Sequence, residues 1–556
     1  MNLSENSLPE ATTDYIIVGA GSAGCVMANR LSENGKYHIT LLEAGGSDRR
    51  FWIKMPIGYG KTYFDERVNW KYTTETNEAL NGRSSYWPRG KVLGGSSSIN
   101  AMVYIRGAQR DFDDWARSGN PGWDYKSVVP YFAKSVDSDF DHESDKTANV
   151  DRGPLKVTRT DSQVHPLCQT WLQAAQEHGF AITDDFNGGA IEGAGIYAIT
   201  TRNGVRESTS AAYLDPAKKR KNLQVITHAH AQKIEFEGTR ARGITYTRQG
   251  TAQTLVAKRE VILSAGAINS PQLLELSGIG SATVIQQAGL TPLLDNANVG
   301  EHLQDHIGIN YYYRSLVPTL NDALHPWSGK LREGLKFVFT RRGHLSLSVN
   351  QAGGFVRTSE SMQHPNMQLY FNPISYTTSP SDKRPLMNPD PWSGLLLSFN
   401  PTRPSSRGSL HIKSQDAAVA PSIKPNYLST NEDVDDVVAG CHLMRELAAA
   451  PSLAAVIEKE IYPGPQMTTD EELIDDFRNR GDTVFHPCGT CAMGSDANTS
   501  VVDSNLKVHG IDGLRVVDAS IFPNITSGNT NAPTIMVGEK AADLILESAR
   551  NATLDG

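Results

Sequence analysis

The amino-acid sequence predicts an α/β fold that opens on a Rossmann-like unit, and three observations in its first fifty residues carry that prediction. A short β-branched apolar run covers Asp14–Gly19 and reads as a strand. Gly19, Gly21 and Gly24 then fit G-x-G-x-x-G and open a helical segment that Asn34-Gly35 would stop. A second apolar run closes on Glu43, at the spacing of an acid that accepts hydrogen bonds from a ribose. The glycines allow a tight turn and let the backbone approach a pyrophosphate resting on the helix N-terminus. Strand, turn, helix, second strand and acid in this order specify binding of an ADP moiety through Gly19, Gly21, Ser22, Ala23, Gly24, Glu43 and Ala44. They do not by themselves choose between FAD and NAD.

Bulk properties bound the rest. At 556 residues the chain can hold two or three domain-sized units, which large α/β folds sometimes interleave. Its 53 basic and 61 acidic residues leave a net charge of −8, which argues against nucleic acid as a partner. No apolar run is long enough to span a bilayer, since "APTIMVGEKAADLIL" is broken by Glu539 and Lys540. The polar start "MNLSENSLPEATTDY" lacks the layout of a secretion signal. Five cysteines make no disulfide scaffold. The expected setting is cytoplasmic, compatible with peripheral contact with a membrane surface.

The segment "PRGKVLGGSSSINAMVYIRG" (88–107) is rich in glycine and serine, and so offers backbone N–H donors and close approach to a flat, phosphate-bearing ligand. It resembles the first signature of the glucose–methanol–choline (GMC) flavin oxidoreductases. "GAINSPQLLELSGIG" (266–280) resembles the second signature, and "VGEHLQDH" (299–306) and the stretch 514–545 are similar to two further family blocks. The choline-dehydrogenase-like character of these blocks points to an alcohol dehydrogenase branch. The resemblance implies FAD, held in a Rossmann-like domain, with an interleaved substrate domain built on an antiparallel sheet. The expected division is 12–310 mainly FAD-binding, 311–469 mainly substrate-binding, and 470–545 returning to the FAD domain. The runs "NMQLYFNPISY" and "GLLLSFNPTR" are strand-like, as a sheet covering a pocket would require.

"TVFHPCGTCAMG" (483–494) contains a Cys-x-x-Cys pair. A zinc site would need a second ligand pair that the sequence lacks. A thiol redox pair is the other reading. The family block there runs His-Pro-x-x-Thr-Cys, which makes Cys488 a variable position and His486 the histidine expected at the flavin. A neutral imidazole suits removal of an alcohol proton, while the cofactor takes the hydride. The family's partner position falls on Asn529, whose amide can hold the substrate oxygen but cannot titrate. Asn531, Ala532 and Thr534 would begin the last helix, with Pro533 in its first turn and its N-terminus toward the flavin.

By the same resemblance, Val92, Asn100, Ala101, Met102 and Val103 should lie along the isoalloxazine and pyrophosphate. Ala231 should meet the adenine, and Asp518 with Ala519 the ribityl and phosphate region. Trp70 is either a wall of the ring or a core residue. Ile99 stands where some relatives carry the histidine that bonds FAD covalently, so non-covalent FAD is expected. "HLQDH", with His302, Asp305 and His306, is read as a structural junction and not a metal site. No acid lies between Asp305 and Asp322, where choline-specialised relatives carry one. The expected activity is therefore oxidation of a primary aliphatic or aromatic alcohol to the aldehyde, with electrons passing to a quinone, another carrier or O₂. Rivals are an O₂-using oxidase forming H₂O₂, and a hydroxynitrile lyase or photodecarboxylase on the same fold.

Overall fold

The parallel strands of the first sheet end, at their C-termini, on one crevice, and among the described residues the sheet has seven strands. In the computed structural model, which describes residues 11–140, 152–377 and 388–554, they begin with β1 (Ala11–Val18) and β2 (Ile39–Glu43). Much of the polar start read above lies outside the described residues. β3 (Leu223–Thr227), β4 (Ala229–Glu237), β5 (Arg240–Arg248) and β6 (Thr251–Leu263) follow. The order across the sheet is β3-β2-β1-β6-β5-β4, with Leu514–Val516 added beside β6.

β6 is long enough to serve two partnerships. Its first half pairs antiparallel with β5, and its last residues, Val261–Leu263, lie parallel to both β1 and Leu514–Val516. β2 and the ends Tyr15–Val18 of β1 and Val261–Leu263 of β6 are buried on both faces, as their continuous apolar runs require. The first helix, α1 (Ser22–Glu33), packs on the C-terminal helix Asn531–Leu554 so closely that a Cβ on Gly538 would come within 3.1 Å of Ala23 Cα. Glu539, which interrupts the apolar run of that helix, is fully buried and accepts a bidentate pair of hydrogen bonds from Arg30 and one from the Tyr213 hydroxyl. Among the described residues, no helix is long and apolar enough to cross a membrane.

The second sheet is antiparallel. Its strands are β7 (Ile307–Ser315), β8 (Ala352–Val356), β9 (Met367–Asn372), β10 (Gly394–Pro401) and β11 (Ile457–Tyr462). They run β11-β7-β10-β9-β8, and the short strand Gly193–Ile196 closes the edge beside β8. The strand-like runs 366–376 and 394–403 supply β9 and β10 as expected. Register sorts their side chains by face. Tyr311, Leu397, Leu369 and Phe371 enter one core beneath the helix Asn431–Ala449, whose Gly440 lies against Phe399. Asn310, Tyr312, Tyr370, Asn372 and Ser398 look the other way and line a cavity between the two sheets.

Candidate active site

The cavity, of about 830 Å³, runs from the C-terminal ends of the parallel strands to the open face of the antiparallel sheet. This is the crevice in which doubly wound sheets bind nucleotides, because loops and helix N-termini converge there. β1 leads directly into Gly19, whose φ of +100° and whose approach to Ser264 leave no room for a side chain: a Cβ would stand 2.4 Å from the Ser264 carbonyl oxygen. Gly21 precedes α1 without a side-chain cap, so the first N–H groups of the helix, beside Ser22 and Ala23, are available to the cavity. The segment 88–107 lies directly on this turn. Gly94 donates its N–H to the Ala20 carbonyl at 2.7 Å, and a Cβ on Gly95 would reach 2.7 Å from Gly21 Cα. Two glycine-rich stretches remote in sequence thus form one cradle.

Glu43 ends β2 and is buried. Its carboxylate accepts the Ala20 N–H at 2.9 Å and the Gly45 N–H at 2.8 Å. Burial, against those two donors, pushes its pKa up to about 7. Beyond Leu514–Val516, Asp518 is also occupied: it accepts from Gly266 N–H (2.9 Å), the Ser270 hydroxyl (2.6 Å) and Ser520 N–H (2.8 Å). It braces the second signature against the strand end and lines the cavity with Ala519. Trp70 lies between Lys91, whose Nζ is 4.4 Å from the ring centre, and His230. Ala44, Asn100, Ala101, Met102, Val103, Ala231, Asn531 and Thr534 reach the cavity as well.

Two expected contacts do not. Gly24 faces away from the cavity, because its Cβ position would lie 2.0 Å from the Gly19 carbonyl oxygen; it lets α1 close on the turn. Val92 is buried behind the wall, among Ile53, Val68 and Ile99.

His486 is buried at the far end of the cavity, and both ring nitrogens are engaged. Nδ1 is 2.9 Å from His306 Nδ1, and Nε2 is 3.0 Å from Asn529 Nδ2. His306 Nε2 lies 2.8 Å from the Thr402 carbonyl oxygen. A carbonyl can only accept, so His306 carries its proton on Nε2 and offers a lone pair at Nδ1. His486 must then donate from Nδ1, which leaves Nε2 unprotonated and accepting from the Asn529 amide. The chain of bonds fixes a single tautomer, with the basic lone pair on the nitrogen that faces the cavity. Burial, with His306 and Arg89 nearby, holds the His486 pKa well below the usual imidazole range, so the ring is neutral.

The backbone around His486 is held as firmly. Phe485 has φ +71°, a left-handed conformation unfavourable for a bulky residue, and Thr483 Oγ1 accepts its N–H while Arg89 donates to its carbonyl. Asp305 accepts the His486 N–H at 2.6 Å and hydroxyl hydrogen bonds from Thr483 and Tyr427, both at 2.5 Å. "HLQDH" is therefore more than a junction: Asp305 fixes the backbone of His486 and His306 its ring. The sequence signal was present in that block, but the contact spans 180 positions and no local pattern announces it. Asn529 follows Gly528, where a Cβ would lie 2.7 Å from Ile105 Cγ2, and its Oδ1 accepts from Gln368 at 3.4 Å.

The C-terminal helix begins at Asn531 as the sequence predicts, and Asn531 Oδ1 accepts the Ser22 hydroxyl at 2.7 Å. The N-termini of α1 and the last helix are thus tied together at the cavity, where their dipoles favour negative charge. Cys488 and Cys491 are both free and fully buried, and burial pushes both thiols up, out of the range of a reactive pair. Among the described residues, no cluster of three or more candidate metal ligands exists. The glycine cradle, the acid closing β2 and the paired helix N-termini fit FAD: a backbone seat for its pyrophosphate and positive dipole ends for a reduced, anionic ring.

Comparison with known proteins agrees with this geometry. A family model described as GMC oxidoreductase matches residues 13–308, and its C-terminal counterpart matches 404–538. The chain is 41% identical to an alcohol dehydrogenase [acceptor] of Pseudomonas putida over 98% of its length and 97% of that protein. It is also 41% identical to the mitochondrial choline dehydrogenase of Homo sapiens, over 96% and 89% of the two chains. Among solved structures, pyridoxine 4-oxidase from Mesorbium loti superposes with a TM-score of 0.85 at 29% identity, covering 95% of this chain and 98% of that one. A variant of Aspergillus oryzae formate oxidase superposes at 0.88 and 25% identity, covering 98% and 100%.

Proposed function

The chain belongs to the GMC oxidoreductase family of FAD enzymes acting on CH–OH donors, and from that premise we propose that it oxidises a neutral primary alcohol to the aldehyde. The observation that carries the reading is the unprotonated Nε2 of His486, held beside the Asn529 amide at the wall of the cavity. The alcohol oxygen takes the place opposite both groups. The alcohol hydroxyl displaces the Asn529 N–H from His486 Nε2, the freed Nδ2–H turns to the alcohol oxygen and orients it, and Nε2 accepts the hydroxyl proton. FAD, when bound, supplies the acceptor for the hydride leaving the carbinol carbon. His306 keeps the accepting nitrogen on the cavity side, and the buried surroundings exclude water from the charge that develops.

Tyr312, Tyr370, Asn372 and Ser398 present an aromatic and neutral face to the substrate, which suits an uncharged aliphatic or aromatic alcohol. Ile99 cannot bond FAD covalently, so the cofactor is dissociable. Electrons leave to a quinone or another carrier. A second reading, a cationic alcohol, is favoured by one feature: Asp390 lines the cavity with Tyr376 and Trp392, an acid and two aromatic rings that would accommodate an ammonium group. A panel of primary alcohols and choline, assayed with a dye acceptor, separates the two. Higher kcat/KM for neutral alcohols is expected; a clear preference for choline would overturn the neutral-substrate reading. Rapid return of electrons from the reduced protein to O₂ in air would replace the carrier by oxygen.

A further inference from the structure

The helix Trp327–Thr340 is turned inside out relative to an ordinary surface helix. Trp327 (77% exposed), Leu331 (53%), Leu335 (49%), Val338 (46%) and Phe339 (81%) all face solvent. At about 100° per residue these five fall within an arc of roughly 120°. The opposite face is narrow and holds the only two buried residues of the helix, Phe337 and Glu333. Isolated exposed apolar side chains are ordinary, but a contiguous stripe of five, two of them large aromatics, marks an interaction surface.

Charge distinguishes the partner. Lys330, Arg332 and Lys336 flank the stripe, and Arg341 and Arg342 follow its end; all five are exposed. The one acid of the helix, Glu333, is buried. This cationic patch sits on a chain whose net charge is −8. A second copy related by a two-fold axis would set these cations against their own equivalents, whereas an anionic lipid surface pairs with them and takes up the apolar stripe.

The helix also adjoins the wall of the active-site cavity. His325, two residues before Trp327, bonds through Nδ1 to the Pro389 carbonyl at 3.0 Å, next to Asp390 and Trp392 of the cavity wall. Phe337 packs into the same small cluster as Tyr59, Tyr63 and Tyr376, which line the cavity.

We propose that Trp327–Thr340 is an in-plane docking helix that seats this side of the cavity wall on an anionic lipid bilayer. The apolar stripe enters the interface and the flanking cations meet the lipid phosphates. An apolar substrate or a lipid-dissolved electron acceptor then reaches the cavity without crossing bulk water.

The test is co-sedimentation of the FAD-loaded protein with vesicles of phosphatidylglycerol and phosphatidylethanolamine, and with vesicles of phosphatidylcholine alone. Binding to the anionic vesicles, weaker binding to the neutral ones, and a blue shift of tryptophan emission are expected. The variant carrying Trp327→Ser, Leu331→Ser and Phe339→Ser should lose vesicle partitioning by about tenfold or more. Its activity on a water-soluble alcohol should be unchanged, because no substituted residue lines the cavity. Absence of vesicle binding, or equal binding by the variant, overturns the proposal. So does a stable dimer in solution that the same substitutions abolish, since a second copy would then own the surface.

Discussion

At the scale of single residues, the site depends on which nitrogen of His486 carries the proton. The Thr402 carbonyl sets the tautomer of His306, and His306 sets that of His486. His306→Ala should therefore slow turnover by about tenfold to a hundredfold with little change in KM. His306→Asn, whose Oδ1 can stand in for Nδ1, should recover part of the loss. A purely structural role would not show that recovery. The depressed pKa of His486 fixes the sign of the pH response. If His486 is the base, as proposed, the active form is the neutral ring, and kcat/KM should be flat above the ordinary imidazole value of about 6.5 and fall only well to the acid side. His486 and Asn529 were legible from the family-like blocks. His306 and Asp305 stood in view in "HLQDH", but their role lies in contacts across 180 and 181 positions, which no periodicity encodes.

At the scale of elements, the first strand, α1 and β2 were readable because glycine spacing and apolar runs act locally. The packing of the segment 88–107 on that turn was not, since it depends on close approach between glycines remote in sequence. That approach makes a sharp prediction. Gly95→Ala places a Cβ 2.7 Å from Gly21 Cα at a residue with φ +53°. The expected cost is about 1–3 kcal/mol, with loss of bound flavin. The ratio of flavin to protein absorbance in the purified variant, with its urea midpoint, checks this. Gly24 and Val92 show the converse: motif residues can serve the packing behind a site without touching it.

At the scale of the molecule, two sheets assembled from interleaved stretches of chain enclose one cavity, and the first and last helices are joined by a buried ion pair. Glu539 has no exposure and meets Arg30 through two hydrogen bonds of 2.8 Å. Glu539→Ala removes the buried carboxylate that accepts two hydrogen bonds from Arg30 and one from the Tyr213 hydroxyl, and should cost about 3 kcal/mol. A lowered thermal midpoint of the holoprotein, with the alcohol KM unchanged, is the expected result. Sequence alone showed Glu539 only as an interruption of an apolar run. Its partner lies 509 positions away and became visible with the fold.

The most direct test of the account is anaerobic stopped-flow reduction of His486→Ala holoprotein by a primary alcohol, followed through the flavin absorbance. FAD content like that of the parent protein, with bleaching slowed by roughly a hundredfold or more, is the predicted result. Bleaching at the parent rate would contradict the assignment of proton removal to His486.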